Sequence, residues 1–298
     1  MKKAMAMLLL MLLLGSCVVT GAQAKTFVTS FYPMYIFTLN VTKDVPDVSV
    51  VTLAGENVGC LHDYQLNTRD MARLEKADAL IINGGGMEQF MDRVAQQQKN
   101  LAVINASEGI EMLCAEGEDD HDHDHDHGVV NAHVWMDPAL AIHQVQRIAD
   151  GLAALDAPNA AVYQQNAAAY IQTIEALDAK IREMLAPIAG REIITFHESF
   201  TYFAHAYGIE IAAVMAGDSG DEPSTREIAR LCDLVKGKDI HALFVEPQYP
   251  AKAAGTIARE TGAQVVTLNP VVSGDGALNS YETLMQENAR VLMEALVP

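Results

Sequence analysis

The chain has 298 residues, more than one hydrophobic core usually organises, so two domains of ordinary size are expected. Half of it is apolar and a fifth is charged, which excludes wholesale disorder, while 20 Gly and 10 Pro exclude a fibrous chain. Twenty Lys and Arg against 39 Asp and Glu give a net charge of −19, the wrong sign for neutralising phosphates, and exclude nucleic acid as a partner.

Lys2 and Lys3 precede an apolar run that reaches Leu14, the charged and apolar parts of a secretory signal spanning residues 1–24. The run is too short to cross a bilayer comfortably. Leu14-Gly15-Ser16-Cys17 resembles a bacterial lipobox, and a Cys directly after the apolar run has little other use, so lipidation at Cys17 is favoured. Ala22-Gln23-Ala24 offers the other reading, cleavage after Ala24. No later stretch of about twenty apolar residues follows, so the mature chain is expected outside the membrane, as a surface lipoprotein or a periplasmic protein. Cys60, Cys114 and Cys232 remain, an odd number; Cys60 and Cys114 are expected either as a disulfide or as two buried thiols.

Short β-rich runs at 26–30, 48–53, 79–83 and 101–105, then at 192–196, 210–214, 241–245 and 263–268, alternate with helix-like segments. They predict an α/β fold of two lobes, each with a roughly four-stranded parallel sheet flanked by helices. Residues 159–185, rich in Ala, Gln, Glu and Leu without Gly or Pro, predict one long rigid helix joining the lobes. The expected organisation is therefore an N-terminal lobe over 25–155, a linking helix over 156–187 and a C-terminal lobe over 188–298. Asp137 before Pro138 marks a helix start, and Ser224-x-x-Glu227 a capping box.

Parallel sheets bind ligands beyond the carboxyl ends of their strands. His197, Glu246 and Asn269 sit there in the second half; His62 lies past the second strand and His133 past the fourth. Three histidines from two lobes meeting in one cleft point to zinc and its late-transition-metal neighbours rather than to magnesium or calcium, which prefer oxygen. Asp137, four residues after His133, is placed to orient that imidazole or to cap the next helix. His143, His205 and His241 have no converging neighbours and are read as surface residues. Seven acids between Glu116 and Asp126 interleave with His121, His123, His125 and His127, a segment without apolar residues that is expected to be a loose, low-affinity metal loop over 116–127, the alternatives being a solvated acidic linker or a purification tag. Outside it the net charge is −12. Asn83-Gly84-Gly85-Gly86-Met87-Glu88-Gln89 lacks the third glycine of a dinucleotide fingerprint and is read as a tight turn beside the cleft. Gly217-Asp218-Ser219-Gly220 lacks the last glycine of a nucleophile elbow.

His62-Asp63-Tyr64, Asn131-Ala132-His133-Val134-Trp135-Met136-Asp137-Pro138, Phe196-His197-Glu198-Ser199-Phe200, Glu222-Pro223-Ser224 and Glu246-Pro247-Gln248 occur in this order over nearly the whole mature chain. Together they resemble the metal-binding solute-binding proteins of zinc/manganese ABC transporters. The resemblance implies a divalent metal, Zn²⁺ before Mn²⁺, held between the lobes by His62, His133 and His197. It also implies delivery to a membrane permease with a cytoplasmic ATPase, by a monomer that meets the membrane only through its lipid anchor. A His-rich loop between the first two ligands, and His at the third position, are similar to the zinc-preferring members. One departure is Leu268-Asn269-Pro270, where the family often places a carboxylate ligand. The fourth position is then open to water, Asn269 or Glu246, the last also a candidate for orienting a ligand. The rival readings are a zinc hydrolase with three histidines and a bound water, and a surface adhesin.

Overall fold

The computed structural model of the protein describes residues 24–55, 61, 64–114, 130–216 and 223–297. The first lobe carries β1 (Lys25–Thr29), β2 (Val48–Thr52), β3 (Ala79–Ile82) and β4 (Ala102–Asn105) in the order β2-β1-β3-β4. The second carries β5 (Glu192–Thr195), β6 (Glu210–Val214), β7 (Ala242–Val245) and β8 (Gln264–Thr267) in the equivalent order β6-β5-β7-β8. Every strand pair is parallel, as expected, and strand limits fall within two residues of those read from sequence. Parallel strands need crossover helices that cover both faces, which is why the central β3 (ALII) and β7 (ALFV) are buried along their whole length.

Some of the helices begin where a side chain satisfies their free N–H groups. In α4 (Pro138–Leu155) the Asp137 carboxylate accepts the Ala139 N–H at 2.8 Å, with Pro138 opening the first turn. In α7 (Thr225–Lys238) Ser224 and Glu227 exchange the reciprocal bonds of a capping box. The remaining helices are α1 (Tyr32–Val41), α2 (Thr68–Leu74), α3 (Met91–Gln97), α5 (Ala160–Leu185), α6 (Thr201–Tyr207), α8 (Lys252–Thr261) and α9 (Ser280–Leu296).

Between the lobes runs α5, 26 residues and about 39 Å long at 1.5 Å per residue. Tyr163, Ala167, Tyr170, Ile174, Leu177, Ile181 and Leu185 recur every three or four positions and form its buried stripe. That stripe packs on α4, α1 and α9, so elements from both ends of the chain hold the connection straight. At its start Asp156 accepts the Tyr163 hydroxyl at 2.7 Å and the Asn159 amide at 2.8 Å. One continuous hydrophobic cluster links the first sheet, these helices and one side of the second sheet. A smaller cluster lies under α7 and α8.

Cys114 is a free, exposed thiol, which corrects the expectation that it is buried or bridged, and Cys232 is free and buried. Cys114 is exposed because it pairs with Val130 in a bridge at the surface root of the His-rich segment. Cys60, Cys17, the signal segment and the His-rich segment itself lie outside the described residues. Among the described residues no helix is long and apolar enough to cross a membrane.

Glu282, in the first turn of α9, is buried, and loss of hydration pushes its carboxyl above the usual range against the pull of its own N–H and the Tyr170 hydroxyl 3.4 Å away. A raised folded-state pKa means that the folded chain holds this proton more tightly. The contribution to stability is therefore complete below the ordinary carboxylate value of about 4.3 and is lost as pH rises through the raised one. Glu282→Gln should match or exceed the parent in stability at pH 8 and lose that advantage in acid, as read from denaturant midpoints at the two pH values.

Candidate metal centre

Both sheets reverse their strand order beside the first strand of the lobe, and loops leaving the adjacent strands splay apart there. In the second lobe this point lies between β5 and β7. His197 follows β5 by two residues, Glu246 follows β7 directly, and His197 Nδ1 donates to Glu246 Oε1 at 2.6 Å. Ser199 Oγ donates to the same oxygen at 2.6 Å. All three side chains are buried. With Nδ1 carrying the proton, the lone pair of the His197 ring is left on Nε2.

In the first lobe the corresponding point lies between β1 and β3, and a buried acid occupies it too. Glu88 accepts from Ser30 Oγ at 2.7 Å and from the N–H groups of Asn83 and Gly84 at 2.7 and 3.0 Å. Burial pushes its carboxyl up while these three donors pull it down. Gly84, Gly85 and Gly86 all have positive φ, and a Cβ on Gly84 would collide with the Asn105 side chain. The glycine run is thus the tight turn expected from the sequence, and Glu88 is its internal brace. Asn83, whose Oδ1 accepts from Gln144 at 2.8 Å, donates through Nδ2 to the Ala132 carbonyl at 2.9 Å, which fixes the residue before His133.

His133 lies against the second lobe. Its ring and that of His197 are 5.0 Å apart, centroid to centroid, at 85°. The acceptor at His133 Nδ1 is Asn131 Oδ1, at 2.9 Å; of the two roles read for Asp137, orienting this ring or capping the next helix, the structure shows the second. Asp137 is turned instead to the N-terminus of α4, where its Oδ1 is the cap. The amide end facing the ring is identified by its surroundings: Asn131 Nδ2 donates to the Glu198 carbonyl at 3.0 Å, so the other end is oxygen, and it also accepts His133 N at 2.9 Å. His133 therefore keeps its proton on Nδ1, as His197 does, and each ring presents Nε2.

Asn269 has another task. Its Oδ1 accepts the Val271 N–H at 2.8 Å, and its backbone exchanges two bonds with Asn288 of α9. These ties hold Val271 at φ 60°, a strained conformation for a β-branched residue. The same loop offers the Pro270 carbonyl to the indole N–H of Trp135 at 2.8 Å, and Tyr281 donates to the Trp135 carbonyl at 2.8 Å. Trp135 is fully buried against the Phe31 and His133 rings.

Two of the three expected ligands are thus brought together. His62 lies outside the described residues, as do His121, His123, His125 and His127; among the described residues no group of three or more His, Cys, Asp or Glu is arranged around a metal position. His143 bonds the Glu108 carbonyl, and His205 and His241 are exposed, in keeping with their reading as surface residues. Asn131 and Ser199 were within the motifs but given no role. An Asn two residues before a His, able to accept that residue's N–H in a local turn, was the available signal for the first.

Residues 27–295 match the sequence profile of the family described as zinc-uptake complex component A, periplasmic. The chain belongs to this family. It is 29% identical over 277 residues to the zinc-binding lipoprotein AdcA of Streptococcus pneumoniae, a match covering 90% of this chain and 55% of that protein. The chain thus spans about half the length of that relative. To the high-affinity zinc uptake system protein ZnuA of Bacillus subtilis it is 30% identical over 281 residues, covering 91% and 87% of the two chains. Among solved structures it superposes on a crystal structure of ZnuA with a TM-score of 0.81 at 28% identity, over 92% of this chain and all of the other. The SBP FpvC of Pseudomonas aeruginosa in complex with Mn²⁺ gives 0.81 at 29% identity, over 92% and 99%. Two lobes of parallel sheet around a long helix are thus the architecture that the zinc-uptake component A family shares with this chain.

Trp135 is the single tryptophan of the chain, so its emission reports on the junction between the lobes alone. Tyr281→Phe removes a donor from its buried carbonyl and should lower stability by about 1–3 kcal/mol in denaturant titrations followed by that emission.

Proposed function

We propose that the protein is an extracytoplasmic solute-binding protein that captures a divalent transition metal, zinc by preference, and delivers it to an ABC permease served by a cytoplasmic ATPase. The observation that carries this reading is the pair His133 and His197: buried imidazoles from different lobes, 5.0 Å apart, each with Nδ1 anchored so that the lone pair is left on Nε2. His62 completes the ligand set in this proposal. Glu246 acts from behind His197, where a carboxylate raises the basicity of the ring and fixes its direction. The amide of Asn269 braces its own loop and leaves the fourth position to water or to another residue.

The names of the relatives support zinc, and the matched profile describes an uptake component rather than an enzyme. The Mn²⁺ complex of FpvC makes manganese the second candidate cargo. A nitrogen-rich donor set favours zinc, because manganese is better served by carboxylates and water. Lipidation at Cys17 and a location at the cell surface or in the periplasm belong to the same proposal, in keeping with the lipoprotein name of the pneumococcal relative.

Competition titration against a chelating dye, with zinc and manganese in parallel, tests the cargo. The parent should bind one zinc tightly and manganese at least tenfold more weakly. His133→Ala and His197→Ala should each abolish tight binding, while Glu246→Gln, which keeps the shape and removes the charge, should weaken it about 10- to 100-fold. Unchanged zinc affinity in His133→Ala would remove that residue from the site.

A further inference from the structure

We infer that Asn131 is a positioning residue that ties the orientation of His133 to the docking of the second lobe, so that the two imidazoles are aligned only while the lobes are in contact. The inference rests on the metal-site reading above and extends it to a residue that touches no metal.

An amide has two chemically different ends, and in Asn131 they face different lobes. The oxygen end serves the first lobe, accepting both His133 N and His133 Nδ1 at 2.9 Å. The nitrogen end serves the second, donating to the Glu198 carbonyl at 3.0 Å with the Glu198 carboxylate at 3.4 Å. Glu198 directly follows His197, so one planar group spans from one ligand ring to the residue beside the other. The backbone of Asn131 is committed as well: its N–H donates to the Leu113 carbonyl at 2.8 Å and its carbonyl accepts the Tyr202 hydroxyl of α6 at 2.8 Å. Tyr202 in turn accepts the Leu113 N–H at 2.9 Å. With the residue 2% exposed, water cannot replace any of these partners.

The orientation of the amide is therefore fixed from both sides. Flipping it would set NH₂ against two N–H donors and oxygen against a carbonyl, leaving buried groups without complements on both faces. If the second lobe withdraws, the nitrogen end loses its acceptors and the amide is held from one side only, by the His133 N–H groups, so the alignment of the His133 ring is less tightly fixed.

Three substitutions separate this interlobe role from a purely local one. Asn131→Asp keeps an acceptor for His133 N and Nδ1 but has nothing to donate to Glu198, and sets a second carboxylate beside it. Asn131→Ala loses both ends. Tyr202→Phe, made from the other lobe, removes the bonds of that hydroxyl to the Asn131 carbonyl and the Leu113 N–H of the first lobe and leaves the amide intact. Each variant is checked for folding by circular dichroism, then titrated with zinc against a chelating dye beside the parent and His133→Ala. In the metal-free proteins, acrylamide quenching of Trp135 is measured. The expected result is a loss of zinc affinity of about tenfold or more in both Asn131 variants. Quenching should rise in both and in Tyr202→Phe. Parental affinity and parental quenching in Asn131→Asp would overturn the interlobe role, whatever Asn131→Ala does; so would parental quenching in all three. A parent that takes up no zinc or manganese would instead overturn the metal-site reading, and the metal-free quenching would still judge the tie between the lobes.

Discussion

The hydrogen bond from His197 Nδ1 to Glu246 Oε1, 2.6 Å long and fully buried, is the constraint around which the junction of the lobes is built. An imidazole can offer a lone pair in a defined direction only if its other nitrogen is held, and a bare cation offers no shape of its own to hold it. The support must come from the fold. Parallel sheets supply it where strand order reverses, because two adjacent strands there send their loops in opposite directions. The two lobes share that topology and place a buried glutamate at the same point of each, with a serine hydroxyl donating to it: Ser30 to Glu88 and Ser199 to Glu246. Their remaining donors differ. Glu88 is saturated by backbone N–H groups of a glycine turn and shapes a loop, whereas Glu246 holds a ring.

Alignment between the lobes follows from what surrounds His133. Within the five residues from Asn131 to Trp135 the first lobe is tied to the second through Glu198, Tyr202, Pro270 and Tyr281. Each bond contributes on the order of 1 kcal/mol net, but all are buried, and opening the junction dry would leave several of them unmet at once. Together with a 26-residue connecting helix packed on both lobes, this favours a small adjustment at the junction over a wide hinge motion.

Much of the fold was legible in the sequence because it is written locally. Strand runs, the Asp137 cap, the Ser224 capping box and the Gly84–Gly86 turn are each decided by residues within a few positions of one another. The place of His197 was legible because residues just beyond parallel strands have few places to go, whereas His133 lies far past the end of β4 and has no such restriction. What was not legible depends on partners distant in sequence. Asp137 and Asn131 are both close enough to His133 to orient its ring, and only the helix start at Pro138 and the approach of Glu198, 67 residues away, decide between them. Asn269 is a local case: its amide looks free in sequence, but its Oδ1 is taken up by Val271 two residues on. Cys114 was read either as bridged to Cys60 or as a buried thiol, yet it is free and exposed where it pairs with Val130.

The commitment of Asn269 bears on how a cation would be balanced in the proposed site. Three neutral imidazoles leave the full charge of a divalent ion uncompensated among its ligands, and in a dry junction that charge is costly. Glu246 answers it one bond away, through the Nδ1 proton of His197, and the carboxylate of Glu198 lies within 3.4 Å of the Asn131 amide on the same side. In the proposed site, negative charge would thereby be kept near the ion but out of its coordination sphere. An arrangement of nitrogen donors inside and oxygen anions outside retains the preference of imidazole for zinc, where a carboxylate bound directly to the metal would ease entry of harder ions such as manganese. The strained backbone at Val271 fits this division of labour, since it is the conformation that turns the Asn269 oxygen to the loop and the Pro270 carbonyl to Trp135.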